Sequence, residues 1–178
     1  MLLRLVQEDY VRHGRSLTNP AFVSLALYRL GRWAQERPTP AVRWTVSKVY
    51  GLLNIFVANI TKVWIPPQVT LGNEFHIIHA EGSLSIHPET VIGSRVGVMH
   101  NVTIGTNMGP GAPVIGDDVF IGVNSTVLGP IRIGDRVRIA ANTAVTTNVP
   151  ADSIVVGSPA KIYRRLTPFV KPQRQAAE

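Results

Sequence analysis

Ile86-His-Pro-Glu-Thr-Val, Ile92-Gly-Ser-Arg-Val-Gly, Val98-Met-His-Asn-Val-Thr and Ile104-Gly-Thr-Asn-Met-Gly follow one another without a gap, and each six-residue unit leads with Ile or Val. After a break the pattern resumes in units led by Ile115, Ile121, Val127, Ile133, Ile139 and Val145. Fifth places are mostly small or β-branched: Thr90, Val96, Val102, Val119, Ser125, Ile131, Val137, Thr143 and Val149. A period of six matches neither the alternation of a plain strand nor the 3.6-residue turn of a helix. A short β-segment followed by a turn does match it, with each unit burying its apolar residues against the units stacked on either side. Gly or Ala often stands second, as at Gly116, Gly122 and Ala140, where a larger side chain would crowd the bend.

Upstream of the repeat the pattern is helical. Residues 3–13 fit a short helix, and Thr18-Asn19-Pro20 reads as a cap followed by proline at the first helical position of a second helix reaching about Gln35. Pro38-Thr39-Pro40 closes it and opens a third, from about Ala41 to Trp64. Its most apolar run, Tyr50 to Ile60, is interrupted by Asn54 and Asn59 and is too short and polar to span a bilayer. Packing against the coil or a neighbouring subunit is one reading of this helix. A peripheral membrane contact is the other, because the helix is apolar nearly all round and flanked by Lys48 and Lys62.

Ile65-Pro66-Pro67 ends the helix, and Ile65, Leu71 and Ile77 lead a first coil. Residues 83–85 read as a small insertion, and the Gly- and Pro-rich segment 107–114 as a loop leaving the coil at a corner and lining the binding face. This divides the chain into a helical segment 1–64, a repeat domain 65–163 and a polar tail 164–178. The net charge of +7 admits anionic ligands, membrane surfaces or nucleic acid. The basic residues are dispersed and lack aromatic interleaving, which argues against nucleic acid. With no cysteine there is neither disulfide nor thiolate chemistry, consistent with a cytoplasmic setting. The opening residues, with Glu8 and Asp9 so early and so short an apolar run, do not read as a signal peptide.

The repeat, together with Ile77-Ile78-His79-Ala80-Glu81-Gly82, Val102-Thr103-Ile104-Gly105, Val114 to Gly122 and the closing Val155-Val156-Gly157-Ser158-Pro159-Ala160-Lys161, resembles the hexapeptide-repeat acyltransferases. Within them it is most similar to serine acetyltransferase and its shorter relatives of exopolysaccharide synthesis. The resemblance implies a mainly β fold, a left-handed parallel β-helix with three hexapeptides per coil behind an N-terminal α-helical segment. It also implies a homotrimer, acetyl-CoA as co-substrate and no metal. Its closing loop implies that Gly157, Pro159, Ala160 and Lys161 pack over the pantetheine arm. Gly105, Thr106, Gly122, Ala140 and Ala141 are the small residues along which that arm would lie, with Lys161, Arg164 and Arg165 near its phosphates.

With three units per coil, His79 and His100 are third residues of equivalent units one coil apart and fall side by side. Transfer of an acetyl group to a hydroxyl needs a base that takes the proton as oxygen attacks, a task suited to imidazole. His79 stands where the resemblance places that base, with His100 as second choice. Glu81 and Glu89 are candidates for an orienting carboxylate. His13, His76 and His87 read as ordinary hydrogen-bonded surface or corner residues. The family's aspartate before the base, second histidine and serine-binding aspartate correspond here to Ile78, about Ala112 and Trp64. A site without those groups discriminates poorly for an amino acid. A saccharide hydroxyl in polysaccharide synthesis is therefore the first expectation for the acceptor, and serine the alternative. A zinc lyase using His76, His79 and His100 and a trimeric scaffold without chemistry are readings of another class.

Overall fold

The computed structural model describes residues 2–79 and 82–164 of the 178-residue chain. Three helices lead: α1 (Leu2–Arg12), α2 (Pro20–Gln35) and α3 (Pro40–Thr61). Asn19 caps α2, its Oδ1 accepting from the amides of Ala21 and Phe22 at 2.9 and 3.4 Å. Pro20 follows where no backbone donor is needed. At the end of α3, Lys62 adopts a left-handed conformation, φ 59°, and turns the chain straight into strand β1 (Val63–Trp64). Val63 and Trp64 pair with Leu84 and Ser85. The coil therefore starts at Val63, inside the segment the sequence assigned to helix, because the buried Val63 side chain completes the first layer of the core.

The strands, numbered along the chain, build three faces visited in rotation. The first face holds β1, β4 (Leu84–Ile86), β7 (Val102–Gly105), β10 (Thr126–Leu128) and β13 (Ala144–Val145). The second holds β2 (Thr70–Leu71), β5 (Val91–Ile92), β8 (Val114–Ile115) and β11 (Arg132–Ile133). The third holds β3 (His76–Ile77), β6 (Gly97–Val98), β9 (Phe120–Ile121), β12 (Arg138–Ile139) and β14 (Ser153–Val156). Pairing is parallel throughout these faces, and β15 (Lys161–Arg164) returns antiparallel on β14. The result is a parallel β-helix behind an N-terminal helical segment.

Every unit leader from Ile86 to Val145 is buried, and so is each of the nine fifth-place residues named above. Ile77, Val98, Ile121, Ile139 and Val155 stand in one register up the third face. Each therefore rests on its equivalents above and below, and the core is a column of like side chains. Ile77 to Val98 spans 21 positions, whereas Ile121 to Ile139 spans 18. The surplus does not lie at 83–85, because Leu84 and Ile86 are buried and paired with Val102 and Ile104. It falls between Ile78 and Ser83, at the corner that carries His79. The polar Ser83 and Ser85 give the segment an insertion-like look, but the buried Leu84 between them sets the register.

The helical segment shares the coil's core. Leu25 and Tyr28 of α2 join the same apolar cluster as Val69 and Phe75, and the Tyr28 hydroxyl donates to the Val69 carbonyl at 2.8 Å. Beneath them Arg29 Nε donates to Asp9 Oδ2 at 2.9 Å, with both side chains buried. On the outside, the corner between the second and third faces carries Glu74, Arg95, Asp118, Arg136 and Asp152, all with positive φ. Arg95 grips Asp118 through two bonds of 2.8 Å. Arg136 grips Asp152 through two of 2.7 Å, and Arg12 reaches Glu74 at 3.0 Å.

Candidate active site

The corner between the third and first faces follows β3, β6, β9, β12 and β14. Because Ile77 and Val98 are register partners, His79 and His100 occupy equivalent places on adjacent coils. Their ring centroids are 6.1 Å apart, with the planes edge to face at 71°. The His79 side chain is exposed and His100 half-buried. His100 Nδ1 is shielded and has no hydrogen-bond partner among the described residues. Gly82 and Ser83 of the first coil lie against His100 and Asn101. A Cβ on Gly82 would come within 3.0 Å of His100 Cβ, and the Ser83 amide donates to Asn101 Oδ1 at 3.0 Å.

Below the histidines the same corner carries a ladder of amides that the sequence reading missed. Asn101 Nδ2 donates to Asn124 Oδ1 at 3.0 Å, and Asn124 Nδ2 to Asn142 Oδ1 at 3.2 Å. All three residues have φ between 55° and 58°, a left-handed conformation that asparagine tolerates better than most side chains. The signal was present: asparagine is the fourth residue of the units led by Val98, Ile121 and Ile139.

Gly122, Ala140 and Ala141 continue this corner. A Cβ on Gly122 would sit 2.6 Å from the Ala141 amide nitrogen, so the coils touch here backbone to backbone. Gly157, at φ 93°, caps the corner; its amide donates to Thr143 Oγ1 at 3.1 Å. Pro159 and Ala160 complete the turn, Ala160 packing on the core, and Lys161 and Arg164 are exposed on β15. The structure thus gathers His79, His100, Gly122, Ala140, Ala141 and Gly157 on one edge. Gly105 and Thr106 lie at the other end of the first face, where Gly105 neighbours His87 and Leu128. Glu89 is there too, its amide donating to His87 Nδ1 at 3.3 Å, so it is not at the His79 corner. Glu81 and Arg165 lie outside the described residues.

His13 and His76 differ from their expected surface and corner roles. His13 is buried between α1 and β3, and His76, on strand β3, meets it at 5.1 Å between centroids. The three histidines of the lyase reading are therefore divided between two pairs, and no group of three or more potential metal ligands occurs among the described residues. Ile78 packs beside Gly97, Trp64 is half-exposed on β1, and Ala112 lies in the loop before β8.

A model of the bacterial transferase hexapeptide, described as six repeats, matches residues 112–147. The serine acetyltransferase of Helicobacter pylori is 32% identical over 166 residues, 90% of this chain and 92% of that protein. That of Mycobacterium tuberculosis is 33% identical over 144 residues, 79% of this chain. The chain spans 59% of the length of the latter and of the Synechococcus elongatus enzyme. Among solved structures, the serine acetyltransferase of Neisseria gonorrhoeae superposes with a TM-score of 0.76 at 26% identity, covering 94% of this chain and 67% of that one. The soybean enzyme superposes with 0.73 at 25% identity, covering 91% and 67%. With a relative above 30% identity matched over nine tenths of its length, the chain belongs to the serine acetyltransferase family of hexapeptide-repeat transferases.

Proposed function

We propose that the chain is an acetyl-CoA-dependent O-acetyltransferase with His79 as general base. The observation that carries this reading is the pairing of His79 with His100 on adjacent coils of a chain whose relatives are named serine acetyltransferases. The acceptor hydroxyl gives its proton to His79 as its oxygen attacks the thioester carbonyl, forming the new C–O bond. The tetrahedral intermediate collapses with cleavage of the C–S bond, and the imidazolium returns the proton to the departing thiolate. His100, one coil away, helps to hold the acceptor. Gly122, Ala140 and Ala141 offer backbone unobstructed by side chains to the extended thiol arm, and Lys161 and Arg164 supply cations for its phosphates. The active assembly in this reading is a homotrimer.

The named relatives support serine as the acceptor more than the saccharide expected from sequence. One observation favours the saccharide: Ile78 and Trp64, at the positions where the family resemblance puts aspartates, offer nothing to pair with an ammonium group. The test is thiol release from acetyl-CoA with serine and with a panel of saccharides, for the wild type and His79→Ala. Turnover with serine alone supports the first reading and turnover with a saccharide alone the second. His79→Ala is expected to lower kcat by roughly 10²–10⁴-fold, the usual worth of a general base. Full activity in a folded His79→Ala protein would refute the base assignment.

A further inference from the structure

Helix α3 buries one side only. Tyr50 lies over Gly31 of α2, and Thr61 accepts from the Ser24 hydroxyl at 2.9 Å. On the opposite side Val49, Leu52, Phe56 and Ile60, spaced at three and four residues, form a stripe with Trp44 and Ile55 beside it. Leu52, Ile55 and Phe56 are each 60% exposed and Ile60 79%. A contiguous apolar surface of this kind marks a face that something covers.

Charge identifies what covers it. From Arg37 to Asn73 the chain has no Asp or Glu, and its charged side chains are Arg37, Arg43, Lys48 and Lys62. Lys48 rises from the apolar side itself, its Nζ 5.9 Å from the Trp44 ring centroid. A second copy of this face would oppose cation to cation with no acid on α3 to answer it. A phospholipid surface answers both properties, taking the stripe into its acyl boundary and the ammonium groups among its phosphates. No helix among the described residues is long and apolar enough to cross a membrane, so the fit is to a helix lying flat.

We infer that α3 docks on an anionic lipid bilayer, with Val49, Leu52, Phe56 and Ile60 inserted and Lys48 and Lys62 held by headgroup phosphates. This holds whichever hydroxyl the enzyme acetylates.

The experiment is flotation of the full chain with vesicles of phosphatidylcholine alone and with vesicles in which a third of the lipid is phosphatidylglycerol. The wild type floats with the anionic vesicles and is released by salt. Phe56→Ser with Ile60→Ser lowers binding at least tenfold, and Lys48→Gln lowers it by roughly fivefold, the worth of one basic residue at such a surface. The altered side chains are exposed, so circular dichroism should match the wild type. Absence of flotation with both vesicle types overturns the inference, as does flotation of the double variant at the wild-type level. A wild-type assembly that the double variant breaks apart, with no lipid binding by either, also overturns it and assigns the face to a second copy of the chain.

Discussion

His13 Nε2 accepts the amide proton of Ile77 at 3.2 Å, two residues before His79, while its Nδ1 meets the Asp9 carbonyl at 2.7 Å. These partners require a neutral ring with the proton on Nδ1. Burial lowers the His13 pKa below its ordinary 6.5, outweighing the opposite pull of the Asp9 carbonyl and carboxylate; Arg12 adds to the lowering. The unfolded chain thus binds a proton more readily than the folded one. His13 therefore destabilises the fold as pH drops below about 6.5 and leaves stability untouched above it. The denaturant midpoint of the wild type should fall across that window. His13→Gln retains an acceptor for Ile77 and does not titrate, so it should flatten the fall. An unchanged slope would show that another group is responsible.

Asp9 and Arg29 are 1% and 5% exposed, and the guanidinium also reaches the carbonyls of Leu71 and Gly72 at 3.5 and 3.4 Å. Removing the carboxylate leaves a buried cation without its counter-charge, a loss of about 3–5 kcal/mol. Asp9→Ala should lower the urea midpoint accordingly. Asp9→Ala with Arg29→Met should recover much of the loss, because the stranded charge is gone.

Asn124 sits in the middle of the amide ladder. Asn124→Gly keeps the left-handed backbone and deletes both side-chain bonds, which should cost about 1–3 kcal/mol. Asn124→Ala adds the strain of a Cβ at positive φ, roughly a further 1 kcal/mol. The difference between the two variants in equilibrium unfolding measures the backbone contribution.

Gly122→Ala brings a Cβ to 2.6 Å from the Ala141 nitrogen, and backbone has little room to retreat. The coils must part locally, at about 1–3 kcal/mol. If the thiol arm lies along this corner, KM for acetyl-CoA should rise more than kcat falls; equal effects on both would place the arm elsewhere.

The six-residue period decided the fold because each leading Ile or Val has a single inward destination, and the same register gave the His79–His100 pairing. Other features left weaker traces. Nothing in the local sequence joins Asp9 to Arg29 or His13 to Ile77, since those contacts depend on how α1 and α2 dock. The first-coil surplus was misplaced because Ser83 and Ser85 look like turn residues while the buried Leu84 sets the strand. Gly105 fits the small-residue pattern of Gly122, yet it belongs to a different edge. The pattern marks a bend, not which edge of the prism the bend lies on.

The corner charges run acid, arginine, acid, arginine, acid, from Glu74 through Arg95, Asp118 and Arg136 to Asp152. That order has parity. Repeating or deleting one coil would bring arginine against arginine or carboxylate against carboxylate at about 4.8 Å, whereas a change of two coils would restore the alternation. The interior column of Ile and Val is indifferent to the number of coils. On this edge, growth or shortening of the solenoid preserves pairing only in even steps.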